Sequence, residues 1–78
     1  MTQTTLADVN VGGSCLVTEI HTEEPELRSR LYALGVIPGS LVKVLRLAPL
    51  GDPMQVRIRG SYLSIRKSEA STIAVEIQ

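Results

Sequence analysis

Residues 41–65 read LVKVLRLAPLGDPMQVRIRGSYLSI, and this stretch decides the fold class. Its period is 2. Val42 and Val44 share one face of a strand predicted over 41–47. Met54, Val56 and Ile58 then alternate with Gln55, Arg57 and Arg59, which predicts a strand over 54–59 with its aliphatic side inward. Leu63 and Ile65 are the inward residues of a further strand over 62–65. The segment Ala48-Pro49-Leu50-Gly51-Asp52-Pro53 is a turn-rich loop with two prolines. Gly60-Ser61 marks a short reversal.

Upstream, the period is different. Pro25 suits the first position of a helix, and Glu23, Glu24 and Glu26 complement the positive end of its dipole. Leu27, Leu31 and Leu34 fall at i, i+4 and i+7, one apolar stripe, with Arg28 and Arg30 off it. Gly35 can take the left-handed position after the helix, Val36 can fold back onto Leu31, and Pro38-Gly39 reads as a tight turn. The helix is predicted to stop at Leu34. Before it, Val17, Thr18 and Ile20 give β-branched character to a strand over 14–21. Thr5, with Asp8 three residues on, predicts a short capped turn. After 65, one helical turn over 67–71 precedes a closing strand with Ile73, Val75 and Ile77 inward.

The sum is five short strands and one helix, a mainly β chain. A flat sheet of that size leaves edges and an open apolar face. A small, partly open five-stranded barrel with the helix inserted after the first strand and plugging one end removes both problems. Gly60 and the Gly12-Gly13 pair are the expected bends. A chain of 78 residues is one domain, 1–78, with no linker or repeat. Hydrophobic residues make up 44% of it, which argues against disorder, and its core must be aliphatic because Phe and Trp are absent.

Composition also bounds the chemistry. Lys plus Arg equals Asp plus Glu at eight each, so the excess of positive charge expected of a nucleic-acid binder is missing. The charges are segregated all the same: Glu19, Glu23, Glu24 and Glu26 come early, and Arg46, Arg57, Arg59, Arg66 and Lys67 come late. The first ten residues, MTQTTLADVN, carry no secretory signal, and no apolar run is long enough to insert directly into a membrane. Cys15 is the sole cysteine, which fits a reducing cytoplasm.

Catalytic pairs fail on geometry. Cys15 and His21 share one strand six residues apart, about 20 Å, too far for a thiol–imidazole couple or a shared metal. Cys15 reads as a small half-buried hydrophobe. His21 with Glu19, Glu23 or Glu24 falls short of the three or four converging ligands that a metal site needs. The stretch 35–40, GVIPGS, lacks a P-loop lysine and opens no helix. No catalytic, cofactor-binding or metal-binding residue is assigned. Arg57 and Arg59 on one strand, with no interleaved aromatics to stack bases, read as the solvated face of the barrel, and the sharper alternative is docking onto an acidic protein surface.

Three segments carry a resemblance: Leu-Tyr-Ala-Leu-Gly-Val-Ile-Pro-Gly over 31–39, Ala-Pro-Leu-Gly-Asp-Pro over 48–53, and Leu-Ser-Ile-Arg-Lys-Ser-Glu-Ala over 63–70. In this order they resemble the FeoA family, small cytosolic accessories of bacterial ferrous iron uptake. The resemblance spans roughly residues 6–76. It implies an SH3-like five-stranded barrel and a non-enzymatic role in supporting or regulating FeoB, the membrane iron transporter with a cytosolic GTPase region. The same fold type forms a C-terminal domain of some iron-dependent repressors. No DNA-binding domain precedes it here, which disfavours that role.

The family offers no catalytic residues to carry over, so the interface follows from exposure. Arg28, Arg30 and Tyr32 project from the polar side of the helix. Pro49, Leu50, Gly51, Asp52 and Pro53 make a rigid loop with an apolar tip, and Arg57 and Arg59 add charge. The loop's chemistry would equally serve to set hairpin geometry. The alternatives are an SH3-like peptide-binding module, which needs an aromatic-lined groove, and a metal-responsive module built on His21.

Overall fold

The computed structural model describes residues 4–78, so Met1, Thr2 and Gln3 of the N-terminal stretch lie outside the described residues. A 3₁₀ turn at Leu6–Asp8 leads to β1 (Ser14–Ile20), α1 (Pro25–Ala33), β2 (Leu41–Leu47), β3 (Met54–Ile58), β4 (Ser61–Ile65), α2 (Lys67–Ala70) and β5 (Ile73–Ile77). The strands form one antiparallel sheet in the order β4-β3-β2-β1-β5. The β2–β3 and β3–β4 pairs are joined by short hairpins, the β1–β2 connection carries α1, and β5 closes back on β1.

The alternation read from the sequence is what holds this sheet. Val42, Val44, Met54, Val56 and Ile58 are all fully buried, while Lys43, Gln55 and Arg57 are exposed. Cys15, Val17 and Ile20 from β1, Ile65 from β4, and Ile73 and Val75 from β5 join the same aliphatic core, and Leu6 and Leu31 close over it. The sheet bends at two irregularities, between Val17 and Glu19 in β1 and between Val44 and Arg46 in β2. An extra residue in one strand increases local twist and lets a sheet curl around its contents. The expected glycine bends are therefore corrected. Gly60 sits in the β3–β4 hairpin, and Gly12, with φ +87, sits in the turn before β1.

α1 ends as its sequence predicts. The Val36 N–H donates to the Leu31 carbonyl at 2.9 Å and the Gly35 N–H donates to the Tyr32 carbonyl at 3.0 Å. With Gly35 at φ +95, this is a Schellman motif, and Val36 is buried beside Leu31. Ser40 N–H then donates to the Ile37 carbonyl at 3.0 Å with Gly39 at φ +92, the type II turn that Pro38-Gly39 requires. The exception is Leu34. It shares the stripe with Leu31 by angle, yet it is 42% exposed where Leu31 is 1%. It caps the helix beyond its contact with the barrel, and Val36 fills the position beneath. Ile77 is likewise 57% exposed at the sheet's margin rather than inward, while Ala74, on the other face of β5, is buried beside the Thr5 bridge.

The two outer strands differ. Along β5, Thr5 bridges Ala74, and Val75 N–H donates to the Thr4 carbonyl at 3.0 Å. The Asp8 carboxylate pins this N-terminal segment by accepting from Thr5 N–H at 3.0 Å and from the Thr5 hydroxyl at 3.2 Å, as the capped turn predicts. β4 has no such cover among the described residues. Urea unfolding should separate the two leucines of α1. Leu31→Ala should lose about 2–5 kcal/mol of stability, and Leu34→Ala should stay within about 0.5 kcal/mol of the parent.

Candidate functional site

The predicted interface residues fall into separate regions. Successive helical residues are rotated by about 100°, so Arg28 and Tyr32 share one flank of α1 and Arg30 faces the other. The Arg28 guanidinium donates to the Thr22 carbonyl at 2.7 Å, tying the helix start to the segment that follows β1. Tyr32 is 47% exposed. Arg30 reaches across to α2 and pairs with the Glu69 carboxylate. Glu69 also accepts from the Arg66 N–H at 3.1 Å, at the start of α2. A surface ion pair of this kind is worth about 1 kcal/mol or less. Its effect is to fix the relative position of two short helices.

The 48–53 loop is fixed to the same place. Gly51 N–H donates to the Ala48 carbonyl at 2.7 Å, and Ala48 N–H donates to the Pro53 carbonyl at 3.0 Å. The Asp52 carboxylate accepts from the Lys67 N–H at 3.0 Å, serving a free donor in the first turn of α2. The loop closes the β2–β3 hairpin and presents Leu50 outward at 96% exposure. Beside it runs an open groove of about 720 Å³ lined by Arg30, Leu34, Asp52, Pro53, Arg66 and Glu69 among others. Helix, loop and α2 therefore meet, although 39 residues separate Arg30 from Glu69.

The basic stripe is different from its sequence reading. Arg57 lies on the outer face of β3, opposite Lys43 on one side and Tyr62 on the other. Arg59 is not on the strand. It occupies the two-residue hairpin with Gly60, at φ 51, the left-handed conformation that a type I′ turn demands of both its residues. A Cβ placed on Gly35 would lie 3.5 Å from Arg59 Cδ, so the arginine stem runs past the C-terminal end of α1, where a cation is favoured. Arg57 and Arg59 still border one depression, together with Leu41, Lys43 and Tyr62. Sequence reasoning missed these last three. The outward alternation of Leu41 and Lys43 was visible, but their register against Arg57 was not.

His21 Nε2 lies 3.3 Å from Glu19 Oε2 on the surface. Among the described residues no group of three or more His, Cys, Asp or Glu comes together to hold a metal ion. Cys15 is buried in the core near the opposite end of β1, and burial raises its thiol pKa above the ordinary 9.0. The thiol therefore stays protonated at neutral pH. Iodoacetamide should leave it unmodified in the native protein at pH 7.5 and alkylate it readily in denaturant, read by intact mass. Asp52→Ala should lower stability by about 0.5–2 kcal/mol in urea through the lost helix cap.

The strand order, the helix between β1 and β2 and the exposed loop define a small SH3-like domain. A FeoA domain model matches residues 4–77. Over 95% of this chain and 70% of its own length, the FeoA protein of Chlorobium tepidum superposes with a TM-score of 0.89 at 42% identity. The FeoA of Stenotrophomonas maltophilia complexed with zinc, a prokaryotic SH3 domain protein, superposes with a TM-score of 0.82 at 25% identity, over 94% of this chain and 89% of that one. A Porphyromonas gingivalis protein that fuses Fe(2+) transport protein A to the Fe(2+) transporter FeoB is 28% identical over 72 residues, which are 92% of this chain. The chain spans 8% of that relative's length. This chain belongs to the FeoA family, accessory proteins of ferrous iron transport rather than known enzymes.

Proposed function

We propose that residues 1–78 act as one FeoA-type docking module that binds the cytosolic, GTPase-bearing region of a FeoB-type ferrous iron transporter and supports or regulates it. The observation that carries this reading is the P. gingivalis fusion, in which a related domain and the transporter share one polypeptide. Covalent fusion keeps two domains at high effective concentration, which is useful when they work in contact. No helix among the described residues is long and apolar enough to cross a membrane. The module then works from the cytoplasm and reaches the membrane's inner face through its partner.

The loop at 48–53 suits this role. Its backbone is held by its own hydrogen bonds and by α2, so little conformational freedom is lost when Leu50 is covered. Detergent-solubilised transporter loaded with GTP or GDP should be retained by the immobilised protein in at least one state. Leu50→Asp should weaken retention by about tenfold or more with the melting temperature unchanged. No retention in any nucleotide state, together with normal ferrous uptake after deletion of the gene, would refute the proposal.

A further inference from the structure

We propose that β4 accepts an added strand from an acidic segment of a partner protein. The inference rests on the docking role above and assigns it a second contact, on the sheet rather than the loop. β4 ends the sheet. Ile58 and Ser61 flank the two-residue turn, so they exchange both ladder hydrogen bonds, and the pairs Arg57–Tyr62 and Gln55–Ser64 are the non-hydrogen-bonded ones. The N–H and C=O groups of Tyr62 and Ser64 therefore point away from β3, and among the described residues they make no backbone hydrogen bond outside the sheet.

Edge strands are ordinarily blunted by proline, lysine, a bulge or a covering segment. β4 reads SYLSI, with no proline and no charge, and its register with β3 is unbroken. The other edge of the sheet is covered at Thr4 and Thr5, so the open edge is confined to β4.

Charge specifies the occupant. Lys43, Arg57 and Tyr62 stand in one cross-strand row on the outer face. Like charges directly opposite each other are unfavourable. The ion pairs among the described residues are Arg30–Glu69 and His21–Glu19, so neither member of the Lys43–Arg57 pair has a carboxylate partner there. A strand beside β4 extends this row past Tyr62, which is 70% exposed. Its backbone would lie about 10 Å from that of Arg57, two strand spacings, within the joint reach of Arg and Glu side chains. Alternate residues of the same strand would fall beside half-buried Leu63, so apolar residues fit between the acids. A second copy of this chain would bring another Lys43–Arg57 row toward the first. A nucleic acid would find Tyr62 alone to stack on.

The test uses the ¹⁵N-labelled protein and a blocked octapeptide of alternating Glu and Val, with the Lys–Val octapeptide as control. The acidic peptide should bind and slow amide exchange at Tyr62 and Ser64 by about tenfold or more, the protection expected of new strand hydrogen bonds. K43E combined with R57E should weaken binding by about tenfold or more. Ser64→Pro should abolish binding while leaving the melting curve intact, because that N–H serves no bond within the sheet. Absence of binding at millimolar peptide, unchanged exchange at Tyr62 and Ser64, equal binding of the lysine peptide, or edge protection from self-association without peptide would each overturn the proposal. Retention of the transporter by wild type and by Ser64→Pro alike would remove strand addition alone. Failure of wild type to retain the transporter would remove the docking reading while leaving the peptide result standing.

Discussion

The interaction on which the molecule depends is the burial of small aliphatic side chains from all five strands against one another. Phe and Trp are absent, and both tyrosines lie on the surface, so no large ring fills the interior. A core of Val, Ile, Leu, Met and Cys side chains excludes water only if every strand contributes and the sheet curls. The irregularities in β1 and β2 supply that curl without glycine. Leu6 and Leu31, from the N-terminal turn and α1, close the remaining openings. The aliphatic core also leaves Tyr32 and Tyr62 free for contacts outside.

From that constraint the surface features follow. The 48–53 loop must close a hairpin and is held by α2, so its apolar tip has nowhere to turn but outward. The C-terminal end of α1 is fixed by the Gly35 motif and by the Arg30–Glu69 pair, which sets the wall of the groove beside the loop. The outer face of the sheet carries Lys43 and Arg57 side by side, and the acidic residues gather at the start of α1. Charge of the two signs is thus segregated along a chain of zero formal charge. That arrangement favours oriented docking to a protein over uniform attraction to a polyanion.

Much of the architecture was legible. The period-2 runs gave β2 and β3 their inward faces, and Gly35 with Pro38-Gly39 gave the end of α1 and the turn after it. The failures have local causes. Leu34 satisfies the helical stripe by angle, but periodicity carries no information on where the helix runs out of neighbours. Arg59 continues the alternation of β3, yet the hairpin claims it together with Gly60, because a two-residue turn compatible with strand twist needs positive φ at both positions. Ile77 keeps the period of β5 at a point where the sheet no longer has a core to cover.

The site divides in the same way. The sequence by itself determined the aliphatic β-rich core, the helix and its stop, the turn chemistry of the loop and the family resemblance. All of these depend on residue type and on spacing within a few positions. Only the tertiary structure decided that Arg30 meets Glu69, that Asp52 caps α2, that Lys43 stands opposite Arg57, and that among the described residues β4 and not β5 has a free edge. Those are contacts between residues far apart in the chain. They are set by strand register and by which segment reaches an edge first, and neither is written in any local period.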